Sequence, residues 1–403
     1  MPIAAALRPA HVTRPSMLEN TLRLVTCDMR ILLVCYDSPL NRGYGAGLRT
    51  NNIWQALGRV GDVSTLVMEP STHTALDATP RESEIGRIRF NKPPVPWTTP
   101  ETRKIRRLVS QVAEPGRFDV VVVRYLRLAM LVQGSVAAPT VVDGDDLDKV
   151  APMIGKSFAR RQFDAAKTTA RRVVTHHALA SFDHVWYVNP LDMRKFPARS
   201  GSVLPNVTDA PPTVLPRAKS QPPCVLMVGK FGYAPNTEGV EFFIGRVLPA
   251  LRRVLPSSRL RLVGQCPPEL AQRWRSADGV EVAGFVGDLA PEYASASLVI
   301  APVFGGGGTQ IKVIEALGHG CGTVVSEFAA SGFAPNLQDG VHLLVARDRD
   351  EWVRQSLRLL TNSTEAERLG QAGRQVVMQT YSFDRMAREI DATISRVVSG
   401  GVG

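Results

Sequence analysis

One stretch, residues 299–315, constrains the fold of this chain more than any other. It begins with an apolar run that predicts a buried strand, continues with glycines at positions 305–308, and leads into a helical segment near Thr309. A strand, a glycine loop and a helix in this order build an anion site from backbone N–H groups and a helix N-terminus. We expect Thr309 to be the N-cap of that helix.

The helix carries two residues of opposite charge. Lys312 and Glu315 are three positions apart, so they share one helical face. A lysine beside phosphate and a carboxylate beside a sugar diol would suit a bound sugar nucleotide. The spacing matches neither G-x-x-x-x-G-K-[ST] nor G-x-G-x-x-G, which argues against those two kinds of phosphate loop. An ordinary glycine turn ahead of a helix remains the alternative.

Apolar strands alternate with helical segments along most of the chain, in two series. The first series starts at Ile31 and the second at Cys224, and five prolines lie between them at residues 210–223. This alternation predicts parallel sheets with right-handed crossovers, and continuous apolar runs predict strands buried on both faces. We therefore predict an α/β protein with two doubly wound, parallel-sheet, Rossmann-like domains that face a cleft. Ligands of such folds bind outside the carboxyl ends of the strands.

The domain boundaries are predicted from the same pattern. Residues 210–223 are the linker, because proline cannot join the interior of a helix or a sheet. Residues 70–100 are rich in proline, threonine and charge, which predicts an irregular surface segment. We assign residues 1–28 to a disordered extension (or translation begins at Met29), 29–209 to the N-terminal domain, 224–381 to the C-terminal domain, and 382–403 to a helix and tail that pack back on the N-terminal domain.

Composition narrows the classes of function. The five cysteines are scattered and form no C-x-x-C pair, which argues against a disulfide framework or a zinc site and favours a reducing compartment. No window of 18 apolar residues is present, so a transmembrane helix is not expected. The N-terminal stretch lacks the apolar core of a secretory signal. We therefore expect a cytoplasmic protein.

The excess positive charge lies in the first half of the chain. Residues 1–220 hold 30 Lys and Arg against 19 Asp and Glu, whereas residues 221–403 hold 18 of each. This asymmetry predicts a polyanionic or membrane-surface partner for the first half, and a peripheral position on the inner face of the membrane. A basic, solvated surface without a partner is the alternative. Nucleic acid is not expected, because no basic motif is interleaved with aromatic residues.

Three segments of the second half resemble the group 1 family of retaining glycosyltransferases, which have the GT-B fold. Residues 229–239 resemble the family's first donor-domain loop, residues 284–289 its nucleobase loop, and residues 305–317 its phosphate and ribose motif. Three motifs in the family's order make the resemblance specific. The first half matches loosely, through the strand at Ile31 and the glycine loop after it.

The resemblance implies roles for individual residues. Lys230 and Lys312 would pair with the diphosphate of a nucleotide-sugar donor, and Glu315 would accept hydrogen bonds from the ribose. The nucleobase loop would contact the base through its backbone, and the glycine loop at 43–47 would reach across from the first domain. The predicted catalytic residues are Lys230, Lys312, Glu315 and Arg124. The predicted donor-binding residues are Gly45, Gly229, Phe285, Val286, Gly305, Gly306, Gly307, Gly308 and Thr309.

Two positions depart from the family's pattern. Gly307 stands where many relatives carry a glutamate, and Arg124 stands where many carry a histidine. We expect Arg124 to touch the donor sugar or phosphate. Asp143 and Asp145 could hold a metal ion, line the acceptor cleft or form a solvated turn. The solvated turn is the expectation, and no metal is expected.

The function implied by the resemblance is that of a retaining glycosyltransferase. It would move a sugar from a nucleoside-diphosphate sugar to an acceptor hydroxyl, without a metal or other cofactor, in polysaccharide or glycolipid biosynthesis. Its partners would be the donor and a glycan or lipid-linked acceptor. The alternatives are a GT-B sugar-nucleotide epimerase, which would turn over donor without acceptor, a non-catalytic sugar-nucleotide sensor, and a nucleic-acid binder.

Overall fold

The computed structural model describes residues 29–36, 38–40, 45–70, 83–90, 99–145, 147, 169, 172–215 and 222–400. The predicted extension at 1–28 and the first residues of the glycine loop at 43–47 lie outside the described residues, as do residues 157–168, a basic stretch that contains Arg160, Arg161 and Lys167. Part of the proline-rich linker lies outside them as well.

The described residues of the N-terminal half form a seven-stranded sheet in the order β3-β2-β1-β4-β5-β6-β7, with every paired strand parallel. The strands are β1 (Arg30–Cys35), β2 (Asp62–Pro70), β3 (Glu84–Phe90), β4 (Val120–Arg124), β5 (Thr140–Asp143), β6 (His184–Tyr187) and β7 (Gly201–Val203). The helices are α1 (Gly45–Leu57), α2 (Pro100–Val112), α3 (Leu126–Val132), α4 (172–179) and α5 (Pro190–Lys195).

The C-terminal half forms a second parallel sheet, of six strands, in the order β10-β9-β8-β11-β12-β13. The strands are β8 (Cys224–Val228), β9 (Arg259–Val263), β10 (Val280–Gly284), β11 (Leu298–Ala301), β12 (Thr323–Ser326) and β13 (Leu344–Ala346). The helices are α6 (Ala234–Phe242), continued by a π-helical segment (Phe243–Val247), α7 (Leu248–Val254), α8 (Pro268–Arg275), α9 (Ala290–Ser295), α10 (Ile311–Gly318), α11 (Glu327–Ser331), α12 (Arg349–Thr361), α13 (Ser363–Thr380) and α14 (Phe383–Val398).

Strands β4, β5, β6, β8, β11 and β12 are buried throughout and β1 nearly so, which explains their largely apolar sequences. In β1, Leu32 and Val34 pack into one apolar cluster, and Ile31 and Leu33 pack into another on the opposite face. Successive side chains of a strand point to opposite sides, so a run without polar residues requires a cover on each side. The predicted α/β class with two doubly wound parallel sheets is confirmed.

The strand order reverses at the same point in both sheets. This switch point lies between β1 and β4 in the first sheet and between β8 and β11 in the second. The loops that leave the carboxyl ends of β8 and β11 carry Gly229 and the glycines at 305–308. Open α/β sheets bind ligands in the crevice at this point, so the fold places both glycine segments at one binding edge.

The prediction of an irregular segment at residues 70–100 is wrong in part, because β3 lies within it as the edge strand of the first sheet. Only Ile88 and Phe90 of β3 are buried. Arg89 donates to Glu69 of the neighbouring strand at 2.8 Å, and Arg87 donates to Glu84 at 2.8 Å. Residues 87–90 alternate charged and apolar side chains, which is the pattern of a half-buried strand, so the sequence does carry a signal for β3.

Helix α14 packs against the N-terminal domain. Ile390 and Ile394 are buried in the same cluster as Ile31 of β1 and Ile53 of α1. The indole Nε1 of Trp186, in β6, donates to the Thr393 hydroxyl at 3.2 Å. The N-terminal domain therefore completes one face of its core with residues from the far end of the described chain.

Among the described residues, no helix has both the length and the apolar composition that crossing a bilayer requires.

Candidate active site

A cavity of about 640 Å³ lies between the two sheets, at their carboxyl edges. Of the predicted site residues, nine line it: Gly229, Lys230, Phe285, Val286, Gly307, Gly308, Thr309, Lys312 and Glu315. The N-terminal domain contributes four described residues to the wall: Leu48, Tyr125, Asp145 and Asn206. Four predicted residues are absent from the wall: Gly45, Arg124, Gly305 and Gly306.

Asn236 joins the two predicted phosphate-binding lysines. Its Oδ1 accepts a short hydrogen bond from Lys312 Nζ, and its Nδ2 donates to the Lys230 carbonyl oxygen at 2.9 Å. A Cβ on Gly229 would lie 3.1 Å from Asn236 Nδ2 and 3.3 Å from Lys312 Nζ. Glycine at this position leaves room for the amide and the ammonium group to meet.

Asn236 itself was not predicted as a site residue. It lies in the first donor-domain loop segment and is buried, although asparagine is usually exposed. An asparagine within the first turn of a helix, six residues beyond a predicted phosphate lysine, is the signal that could have found it.

Lys312 and Glu315 lie side by side on α10, as predicted, and both are partly buried. Burial lowers the pKa of Lys312 to about 8, and Glu315 opposes that change. Burial also raises the pKa of Glu315, against the hydrogen bond from Tyr293 and the charge of Lys312. Tyr293 Oη lies 3.3 Å from Glu315 Oε2. A bound anion would stabilise the protonated lysine and replace the water that burial removes.

The pH dependence of nucleotide binding follows from Lys312. A phosphate binds the charged ammonium form, so affinity should be constant below pH about 8 and fall up to tenfold per pH unit above it, until the raised pKa of the bound lysine is reached. Lys312→Arg should remove this decline, because a guanidinium stays charged. Calorimetric titration with UDP between pH ~7 and ~9 measures the decline in affinity for the wild-type protein and for Lys312→Arg. Equal decline in the two proteins would contradict the assignment.

The glycine loop is shaped by close contacts. Gly306 has φ +125°, and a Cβ there would lie 2.8 Å from the Tyr233 hydroxyl oxygen. Gly308 has φ +66°, and a Cβ there would lie 2.8 Å from Asp145 Oδ1. Gly305 and Gly306 are buried behind the wall, whereas Gly307 and Gly308 reach the cavity. The first two glycines shape the loop, and the last two form the surface that a ligand can touch.

Thr309 is not the N-cap of the following helix, which corrects the prediction. Helix α10 begins at Ile311, and its N-cap is Gln310, whose side chain makes no capping hydrogen bond. The Thr309 hydroxyl instead accepts a hydrogen bond from Asn206 Nδ2 at 2.7 Å. Thr309 therefore spans the boundary between the domains, while the backbone at this end of α10 faces the cavity.

The nucleobase loop forms one rim of the cavity. Phe285 is 67% exposed, which is unusual for so large an apolar side chain. Val286, next to it, is partly buried and packs against the cluster that contains Tyr293. Gly45, by contrast, is the first residue of α1, and the cavity wall begins one turn later at Leu48.

Arg124 does not line the cavity, so its predicted contact with the donor is not found. Its side chain is fully buried at the end of β4, where Nη1 donates to Asp143 and Nε donates to the Thr50 hydroxyl at 3.1 Å. Asp145, which does line the cavity, lies 3.4 Å from both Nη atoms. Arg124 therefore positions Asp145, a residue of the cavity wall, without lining the cavity itself.

The pair Asp143 and Asp145 does not form a solvated turn, which corrects the expectation. Asp143 is fully buried between Arg124 and Arg49, with Arg49 Nη2 at 2.5 Å from Oδ1. Burial alone would raise the pKa of Asp143, but the two guanidinium groups outweigh it and lower that pKa. We refer to Arg49, Arg124, Asp143 and Asp145 as the buried charge cluster. Among the described residues, no group of three His, Cys, Asp or Glu side chains is arranged to hold a metal ion.

Tyr125 follows Arg124 with φ +73°, a left-handed conformation that costs a residue other than glycine about 1–3 kcal/mol. The Arg124 guanidinium lies 4.4 Å from the centre of its ring, and Nη2 lies 3.2 Å from its hydroxyl oxygen. These contacts hold the strained residue in the cavity wall.

Gly264, at the end of β9, is required by a close approach of two strands. Its φ is +133°, and a Cβ would lie 2.0 Å from the Gly229 carbonyl oxygen. Gly264→Ala should therefore lower the free energy of unfolding by at least about 2 kcal/mol. Gly287→Ala is the matched control, because a Cβ there meets nothing within 4 Å. Urea unfolding measures both, and equal midpoints would contradict the contact.

Comparison with known proteins places this site in a family. Residues 222–362, which carry most of the cavity wall, match the family described as Glycosyl transferases group 1. Residues 222–362 form a group 1 glycosyltransferase domain. The predicted resemblance is thereby confirmed for this domain. No curated protein matches the chain at a significant level.

Solved structures similar to this chain extend the comparison beyond the group 1 domain. Sucrose-phosphate synthase from Thermosynechococcus elongatus superposes with a TM-score of 0.71 at 17% identity, over 92% of this chain and 100% of that one. HepE from Anabaena, in complex with UDP and glucose, gives 0.65 at 15% identity, over 91% and 99%. The lipopolysaccharide outer core galactosyltransferase WaaB gives 0.62 at 11% identity, over 92% and 99%. These similarities show that the described residues of both domains have the GT-B fold.

Proposed function

We propose that this protein is a retaining glycosyltransferase that moves a sugar from a nucleoside-diphosphate sugar to an acceptor hydroxyl. The observation that carries the proposal is the wall of the interdomain cavity, where Lys312 and Glu315 lie one helical turn apart, and where Asn236 accepts a hydrogen bond from Lys312 Nζ and donates one to the main-chain carbonyl of Lys230. A cation and a carboxylate at this separation suit the phosphate and ribose of one nucleotide.

The cavity offers suitable contacts to each part of a nucleotide-sugar donor. The base would lie at the rim against Phe285 and Val286, and the ribose hydroxyls would donate to Glu315. The diphosphate would lie between Lys312, Lys230 and the backbone at Gly307 and Gly308, where a helix N-terminus adds partial positive charge. HepE has been solved with UDP and with UDP-glucose, which makes UDP-sugars the first donors to test.

The proposed chemistry follows from the charges. When the sugar–oxygen bond breaks, negative charge develops on the leaving diphosphate, and Lys312 with the glycine-loop amides would stabilise it. For retention, the acceptor hydroxyl approaches the same face that the diphosphate leaves, and a diphosphate oxygen takes its proton. We assign no side-chain base. Contact between the domains would exclude water and so limit hydrolysis of the donor.

The test is calorimetric titration with UDP, GDP, ADP and UDP-glucose. We expect saturable binding of at least one nucleotide, weakened about 10- to 100-fold in Glu315→Ala, because the ribose loses a charged hydrogen-bond acceptor. Glu327→Ala, at an exposed carboxylate outside the cavity, is the matched control. If no nucleotide binds and Glu315→Ala changes nothing, the proposal fails. NMR of the anomeric proton in the product tests retention.

We place the acceptor on a membrane surface, as part of the same proposal. Helix α2 buries Ile105 and Val109 and exposes Arg103, Lys104 and Arg107. Each basic residue near an anionic bilayer contributes about 1 kcal/mol to binding. This supports a peripheral enzyme on the cytoplasmic face of the membrane, acting on a glycan or lipid-linked acceptor in polysaccharide or glycolipid biosynthesis. Sedimentation with phosphatidylglycerol-rich liposomes, and not with phosphatidylcholine liposomes, is the expected result; retention on oligonucleotides instead would contradict it.

A further inference from the structure

We propose that Asp145 makes this site selective for donors with a neutral sugar and excludes donors whose sugar is a uronic acid. The inference rests on the proposed function, because it assigns the part of the cavity that the transferred sugar occupies.

Asp145 is the one carboxylate that the described residues of the N-terminal domain place in the cavity wall. It follows β5, and its side chain is 11% exposed. Both contacts with Arg124 involve Oδ2. Oδ1 points to the glycine loop, 2.8 Å from the position that a Cβ would take on Gly308. The carboxylate therefore lies against Gly308, at the end of the loop assigned to the diphosphate.

Asp145 is the member of the buried charge cluster that faces the cavity. The buried charge cluster contains two guanidinium groups and two carboxylates, so it is neutral as a whole. Arg49, Arg124 and Asp143 are fully buried, and only Asp145 reaches the cavity. The cluster is neutral in sum, but the group that it turns toward a ligand is a carboxylate.

The sugar is assigned to this side because it is bonded to the diphosphate, and Asp145 lies beside Gly308 of the loop assigned to that diphosphate. The nucleobase rim and Glu315 take the nucleoside, and Lys230, Lys312 and the glycine loop take the diphosphate. The wall has further residues from both domains, and among those that take neither the nucleoside nor the diphosphate, Asp145 is the one described residue with a charged side chain. A neutral hexose can donate its hydroxyl hydrogens to the Asp145 carboxylate. A uronate places a second negative charge beside it, in a partly desolvated site where like charges repel strongly.

The test compares two donor pairs that differ only in oxidation at C6, UDP-glucose with UDP-glucuronic acid and GDP-mannose with GDP-mannuronic acid. Calorimetry of the wild-type protein should show the uronate donor binding on the order of 100-fold more weakly than its neutral partner, with the plain diphosphate as reference. Equal affinities within a pair, while UDP or GDP binds, would overturn the inference and leave the proposed function standing. Failure of UDP, GDP and ADP alike to bind would remove the donor site and overturn both.

The variant Asp145→Asn separates charge from shape. The ratio of uronate to neutral affinity should rise at least about tenfold toward unity, since the amide keeps the size of the side chain and removes its charge. The ratio is internal to each protein, so a general loss of affinity or stability in the variant cancels. Asp350→Asn, at a carboxylate with a side chain 77% exposed on α12, should keep the wild-type ratio. An unchanged ratio in Asp145→Asn would contradict the role of this residue.

Discussion

Lys312→Met is expected to lower kcat/KM for the sugar donor by at least about 100-fold, which corresponds to roughly 3 kcal/mol of transition-state stabilisation. Methionine keeps the length of the side chain and removes the charge that faces the leaving diphosphate. The change should affect kcat more than KM, because charge on the diphosphate develops mainly as the bond to the sugar breaks. Steady-state kinetics with the donor identified by calorimetry measure it.

Arg253→Met is the matched control for this experiment, since Arg253 is an exposed cation on α7, outside the cavity. Its kinetics should stay within about twofold of the wild type. Lys230→Met should have a smaller effect than Lys312→Met, because Lys230 is exposed and its charge is better screened by water. Wild-type kinetics in Lys312→Met would remove the central residue from the proposed mechanism.

Asp143→Asn is expected to lower the free energy of unfolding of the N-terminal domain by about 3–5 kcal/mol. Asp143 is the carboxylate that Arg49 and Arg124 share, and all three side chains are fully buried. Replacing the shared carboxylate with an amide leaves two guanidinium groups in the interior with Asp145 as their remaining cluster partner. The midpoint of thermal unfolding should fall by roughly 10 °C.

Asp119→Asn is the matched control for Asp143→Asn. Asp119 also pairs with an arginine, at 2.8 Å from Arg30, but both side chains are partly exposed, so the change should cost no more than about 1 kcal/mol. Because the pKa of Asp143 is lowered in the folded protein, its contribution is complete at neutral pH and is lost as pH falls through that lowered value. Equal destabilisation by the two variants would show that the cluster is unimportant.

The sequence predicts the second domain best, because its strands are short apolar runs with clear ends. Strand β8 begins at Cys224, where the sequence predicts the start of the second series, and Lys312 and Glu315 lie on one helix, as their spacing predicts. The three donor motifs are local in sequence, so their loops could be placed without knowing the tertiary structure.

The features of the site that the sequence did not predict depend on contacts between residues far apart in the chain. Asn206 meets Thr309 across the boundary between the domains, and no local pattern contains that contact. Arg124 is a strand-end residue in the sequence, but Asp143 and Asp145 draw its side chain into the interior. Whether a side chain lines the cavity or lies behind the cavity wall depends on its contact partners in the tertiary structure. The spacing of residues in the sequence does not identify those partners.

The position of α14 has a consequence for how the protein is made. Ile31 and Leu33 of β1 share their cluster with Met386, Ile390 and Ile394, which leave the ribosome more than 350 residues later. The apolar clusters of the C-terminal sheet draw on residues 225–381. The first sheet is synthesised first, but part of one of its faces lacks its apolar cover until α14 has been made. The second sheet can complete its core as soon as its own residues have been synthesised.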